Sequence, residues 1–191
     1  MQFTPGVIQH GNAFVGQRLG TLAGLHELGA PADLLGGLEA VRDHIALRPL
    51  RASHVLFVGA PGHGQALAAA SLGKAVNLPV FRIDVSAVLS RYIGQTEKNL
   101  DRLFGQANGA DSILFLDEAD ALFGKRTDVH DAHGRYGTAE VAYVLKKLEA
   151  HAGPAIIATR SRTNVDPAFL RRLRYVLYFR SPLQPPKRSG G

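Results

Sequence analysis

The 191-residue chain contains no cysteine. Disulfides and thiolate metal sites are therefore excluded, and a reducing compartment suits the composition. No apolar run approaches the roughly 20 residues needed to cross a bilayer. The opening residues, Met1-Gln2-Phe3-Thr4-Pro5-Gly6, lack a basic stretch followed by an apolar one, so they do not read as a secretory signal. These absences give the expectation of a cytoplasmic protein with no membrane partner. There is no internal repeat and no nucleic-acid-binding motif.

A more telling lack sits inside a glycine loop. Residues 59–66 read Gly59-Ala60-Pro61-Gly62-His63-Gly64-Gln65-Ala66, followed by Leu67. A phosphate-binding loop needs Gly, four residues, Gly, then Lys and Ser or Thr. Both glycines hold their places, but Gln65 replaces the lysine and Ala66 the hydroxyl. The lysine would set a positive charge on the β- and γ-phosphates, and the hydroxyl would bind Mg²⁺. Backbone N–H groups and a helix N-terminus still offer an anion site without either side chain. Three readings stay open for the loop. It is a degraded, non-hydrolysing site, a weak site rescued by a nearby Lys or Arg, or a glycine turn that never bound nucleotide.

What is present is a globular composition, 46% apolar and 20% charged. The length suits one full domain with a core. The formal charge is +6, with Arg160, Arg162, Arg171, Arg172, Arg174, Arg180, Lys187 and Arg188 gathered late in the chain. This reads as a solvated face and a basic tail. A nucleic-acid partner is compatible with the charge but is not favoured.

Residues 1–32 are glycine-rich, with weak helical character around Leu19–Leu28. Asp33 has the look of an N-cap. Leu34, Leu35, Leu38, Val41 and Ile45 then follow at a spacing that predicts a helix to about Leu47. The body alternates strand and helix. Strands are predicted at His54–Val58, Val80–Val85, Ser112–Leu116, Ala155–Ala158 and Tyr175–Phe179, and helices at Gln65–Val76, Thr96–Ala107 and Thr138–His151. Strands that are apolar without alternation are buried on both faces. The expected fold is α/β, a P-loop NTPase core with a doubly wound, five-stranded parallel sheet flanked by helices. The expected organisation is an N-terminal segment and helix over 1–50, a core over 51–181 and a disordered basic tail over 182–191.

Ile113-Leu114-Phe115-Leu116-Asp117-Glu118-Ala119-Asp120 sets carboxylates at the C-terminal end of a buried strand, where ligands bind in open α/β sheets. In phosphate-transfer chemistry Asp117 would hold Mg²⁺ through water, and Glu118 would orient the attacking water.

Together the glycine loop and this acidic strand resemble the AAA-type ATPases of the AAA+ group, over about residues 54–179. The resemblance implies ATP and Mg²⁺ as cofactors, both made doubtful by the loop. It also implies a ring-forming oligomer that remodels a protein client or assembles with a paralogous AAA subunit. Tyr92, Ile93 and Gly94 would be the first pore loop that grips substrate polypeptide. His130 to Tyr136 would stand in the second pore loop's place, which explains its two histidines better than a metal site does. Arg171 and Arg172 would be arginine fingers reaching a neighbour's γ-phosphate. The wording from Arg91 to His151 is similar to bacterial AAA ATPases that accompany phage-tail-like contractile injection particles.

The chain departs from the family pattern in three places. The loop lacks its lysine and hydroxyl. Arg160 stands where a sensor asparagine is expected. Too few residues follow Ser181 for the family's helical lid. The expected function is an ATPase-like module with an impaired nucleotide site. The alternative is an inactive pseudo-ATPase serving as a structural or regulatory subunit beside an active paralogue.

Overall fold

The computed structural model describes residues 7–10, 22–47, 53–91, 98, 101, 104–105, 112–123, 132–165 and 167–183. Among these, five strands run parallel. They are β2 (Ser53–Gly59), β3 (Val80–Asp84), β4 (Ile113–Asp117), β5 (Pro154–Thr159) and β6 (Leu173–Phe179), side by side in the order β3-β4-β5-β2-β6. A sixth strand, β1 (Val7–His10), extends one edge by pairing antiparallel with β3. Sequence reasoning missed β1, whose four residues lie in a glycine-rich stretch.

Successive side chains of each strand feed opposite faces of the sheet. Leu56, Ile83, Leu114, Leu116 and Ile157 pack on one face against Val85 and Val88 of α4 (Val85–Arg91). Leu122 and Phe123 of α5 (Asp120–Phe123) and Val144 and Leu148 of α6 (Ala132–Ala150) complete that layer. Val55, Phe57, Ile113, Phe115 and Ile156 pack on the other face. There they meet Leu25 of α1 (Leu22–Glu27) and Leu34, Leu38, Val41 and Ile45 of α2 (Ala32–Ala46). Ala68, Ala69 and Leu72 of α3 (Gln65–Val76) fill the rest. Two buried faces explain why the central strands carry no polar alternation. The short α7 (Pro167–Leu170) precedes β6.

Several local expectations change. Helix α2 is capped by Pro31 with no side-chain hydrogen bond, so Asp33 sits in its first turn and favours the helix through the dipole. Helix α6 starts at Ala132, which makes residues 132–136 helical rather than loop. Most of Thr96–Ala107 lies outside the described residues, although Lys98, Asp101, Phe104 and Gly105 are helical. Leu183, expected in the tail, packs instead against the hydrophobic cluster that holds α1, α2 and α3.

At the end of the sheet opposite the glycine loop, His54 is half-buried near the start of β2 and His151 is buried just past the end of α6. His54 Nε2 lies 3.4 Å from Leu148 O, and its ring stacks on Phe169. Burial lowers the pKa of both rings. For His151 the neighbouring His54 adds to the effect, and for His54 the nearby Arg172 does. Both rings therefore favour the neutral form when folded. The unfolded chain binds more protons below about pH 6.5. Their stabilising contribution is full above that pH and is lost as pH falls below it. The urea midpoint is expected to drop between pH 7.5 and 5.5, and to drop less in a His54→Gln/His151→Leu variant. Equal drops in both proteins would contradict this origin.

Candidate nucleotide site

The glycine loop leaves β2 at Gly59 and enters α3 at Gln65, in the strand–loop–helix setting that a phosphate loop requires. Gly62 has φ 82° and Gly64 φ 102°, left-handed values that a side chain would strain. The helix end is thereby presented toward a cavity of about 440 Å³ at the C-terminal edge of the sheet. Gly59, Pro61, Gly62, Gly64, Gln65, Ala66 and Leu67 line it. Ala60 and His63, also expected to bind nucleotide, do not. Instead His63 Nδ1 lies 2.9 Å from Phe179 O and fastens the loop to the end of β6.

Gln65 is buried. Its amide donates to Gly59 O (2.8 Å) and Ala60 O (3.2 Å), so both N–H groups are spent on the loop's own carbonyls. An amide in the lysine's place has only a neutral hydrogen bond to give a phosphate. The loop folds it inward, onto Gly59 O and onto Ala60 O, which also accepts from His63 N at 3.1 Å.

Asp117 and Glu118 open on the same cavity, across β5 from the loop. Asp117 Oδ2 accepts from Arg82 at 2.5 Å, and Oδ1 accepts from Glu118 N at 3.0 Å. Glu118 has φ 52°, a left-handed conformation uncommon outside glycine. Asp120 locks the turn. Its carboxylate accepts from Thr159 Oγ1 (2.8 Å) and Arg160 N (3.0 Å), while Ala119 N donates to Ala158 O (2.9 Å). Arg160 thus lines the cavity at the position expected for the sensor residue.

The fit to Mg²⁺ is poor. Ala66 offers no hydroxyl, and both oxygens of Asp117 are engaged. No three His, Cys, Asp or Glu side chains among the described residues converge as a metal site.

Arg171 and Arg172 are exposed and do not line this cavity. Arg172 pairs with Glu149 of α6. Tyr92, Ile93 and Gly94 lie outside the described residues, as do His130 and Asp131.

Among the lining residues that escaped sequence reasoning are Arg82 and Leu183. Arg82 was folded into a strand read as buried, although a charge flanked by Phe81 and Ile83 is a signal in itself, since buried charges are paired. Leu183 was assigned to a disordered tail. Its side chain covers Gly64 so closely that a Cβ there would lie 2.6 Å from Leu183 Cδ1.

Strain at Glu118 has a measurable consequence. Left-handed backbone costs a non-glycine residue on the order of 1–2 kcal/mol. Glu118→Gly is expected to raise unfolding stability by about 0.5–1 kcal/mol, after allowing for the freer unfolded glycine. A loss of stability in urea denaturation would contradict the strain.

Known proteins agree with this geometry. Residues 55–181 match the ATPase family associated with various cellular activities (AAA). The chain is 37% identical over 123 residues to ATPase family gene 2 protein of Schizosaccharomyces pombe, covering 61% of this chain and 15% of that protein. It is 32% identical over 152 residues to the uncharacterized AAA family ATPase y4kL of Sinorhizobium fredii, covering 78% of this chain and 46% of that one. The chain thus spans less than half the length of either relative. Among solved structures, the FIGL-1 AAA domain in complex with ADP superimposes with a TM-score of 0.57 at 22% identity, over 93% of this chain and 59% of that one. That likeness concerns the fold. With the family match running from β2 through β6, this chain belongs to the AAA family of ATPases.

Proposed function

We propose that the chain is a nucleotide-binding AAA module with little or no ATP hydrolysis of its own, related by descent to ATP-driven protein remodellers. The observation that carries this reading is the inward Gln65 amide, bonded to Gly59 O and Ala60 O. The loop keeps its backbone shape and its helix N-terminus but brings no cation to a phosphate. A charge-assisted hydrogen bond contributes about 1.5–3 kcal/mol, so its loss costs roughly one to two decades of affinity. The engaged oxygens of Asp117 support the same conclusion from the metal side.

A structural or regulatory role in a ring, beside an active paralogous AAA subunit, belongs to this proposal and is supported by where the arginines sit. Arg171 and Arg172 stand outside the chain's own cavity and are exposed, as groups that serve a neighbour's nucleotide must be. The pore-loop role of Tyr92, Ile93 and Gly94 belongs to this reading, as does a cytoplasmic setting. A bacterial context beside contractile injection particles, read from the wording of residues 91–151, belongs to the same proposal.

Phosphate release by the purified chain tests the reading, with Glu118→Gln as the background. The wild-type rate is expected at that background, and Gln65→Lys/Ala66→Thr is expected to bind ATP about tenfold or more tightly. Wild-type turnover that Glu118→Gln abolishes would overturn the reading.

A further inference from the structure

We propose that Arg82 is the phosphate-binding cation of this pocket, supplied by strand β3 in place of the missing loop lysine, and that the pocket takes nucleoside polyphosphate without a divalent metal. The inference rests on the reading of the cavity as a nucleotide pocket.

Position comes first. Arg82 pairs in register with Phe115 of β4, and Asp84 with Asp117. Its neighbours Phe81 and Ile83 belong to the cluster under α4, α5 and α6. By the alternation of the strand, Arg82 therefore emerges on the opposite face, beneath α3. Ala66 and Ala70 of α3 line the same cavity as Arg82. These two small side chains stand one helical turn apart and leave the guanidinium room. From its register position Arg82 reaches forward along the sheet to Asp117 Oδ2, toward the end where the glycine loop opens.

Donor supply comes second. A guanidinium carries five N–H donors in a planar fork suited to phosphate. One nitrogen is committed to Asp117. The Nε of Arg82 is buried and has no hydrogen-bond partner among the described residues. A buried orphan donor is unfavourable, so a rotation of the side chain that brings Nε–H to an incoming phosphate oxygen relieves a cost already present in the free protein. Loop lysine and strand arginine differ in chemistry. The arginine offers a rigid fork held in place by an acid, where lysine would offer a mobile point charge.

The metal comes third. Arg82 and a divalent cation compete for the same Asp117 carboxylate. Mg²⁺ entry requires the ion pair to break, and the side chains present offer it little else. Magnesium therefore brings no gain in nucleotide affinity here.

Calorimetric titration of the full chain with ATP and ADP, in EDTA and in Mg²⁺, tests the proposal. The variants are Arg82→Gln, Arg82→Lys and Asp117→Asn, with urea midpoints to verify folding. Wild type is expected to bind at least as tightly in EDTA as in Mg²⁺. Arg82→Gln is expected to weaken binding about tenfold or more, and Arg82→Lys to retain part of it. Asp117→Asn frees the guanidinium and removes a like charge from the phosphate, so it is expected to tighten metal-free binding. If Arg82→Gln fails to fold, the opposite shifts of Arg82→Lys and Asp117→Asn decide. Unchanged affinity in the folded Arg82 variants would overturn the role of Arg82 while leaving the nucleotide pocket standing. So would Mg²⁺-tightened binding that Asp117→Asn weakens. Absence of ATP and ADP binding in every condition would overturn both.

Discussion

Asp117 ends a strand that is buried on both faces, and its charge is met there by Arg82 from the neighbouring strand. The ion pair is half-sheltered, with the two side chains 30% and 19% exposed, so water only partly screens it. Removing one partner leaves the other charge poorly solvated, which makes such a pair hard to dismantle by a passing ion. A parallel sheet covered by helices leaves only the C-terminal ends of its strands open to ligands. The chemistry of this protein is therefore decided by the few charges gathered at that edge, and the Arg82–Asp117 pair sets their balance.

The neighbouring parts follow suit. Asp120 is satisfied by Thr159 and the Arg160 backbone, which fixes the acidic turn to β5. Gln65 closes the glycine loop on itself, and His63 ties that loop to β6. Leu183 folds back over Gly64, so the end of the described chain forms one wall of the cavity. The result is a phosphate loop with left-handed glycines in place and with the polar side chains of His63 and Gln65 bonded back onto backbone carbonyls. Cationic groups enter the cavity from elsewhere, Arg82 from the sheet and Arg160 from the end of β5.

The sequence made the α/β architecture legible because its strongest signals are local. Apolar runs without alternation mark strands buried twice, and α3 begins and ends where its spacing places it. The strand β1 was illegible because four residues in a glycine-rich stretch carry too little pattern, and its partner β3 is distant in sequence. The glycine loop and the acidic strand were legible as motifs, and the structure brings them to one cavity. What a motif does not convey is where its side chains turn. The inward rotation of Gln65 depends on the loop bringing Gly59 O and Ala60 O within reach of its amide. The pairing of Arg82 with Asp117 depends on β3 and β4 being neighbours in register, a tertiary fact about residues 35 apart in the chain. Leu183 was hidden for a similar reason, since a Pro- and Gly-rich tail gives no sign of folding back.

The most direct test of a strand-borne cation is the ¹⁵N–¹H signal of the Arg82 Nε–H, assigned by its loss in Arg82→Lys and followed while ATP is added in EDTA. The expected result is a downfield shift that saturates together with the backbone amides of Gly62 and Gly64, as one phosphate group engages loop and guanidinium at once. Movement of the loop amides with a stationary Arg82 signal would contradict it, and would place the phosphate on the loop alone.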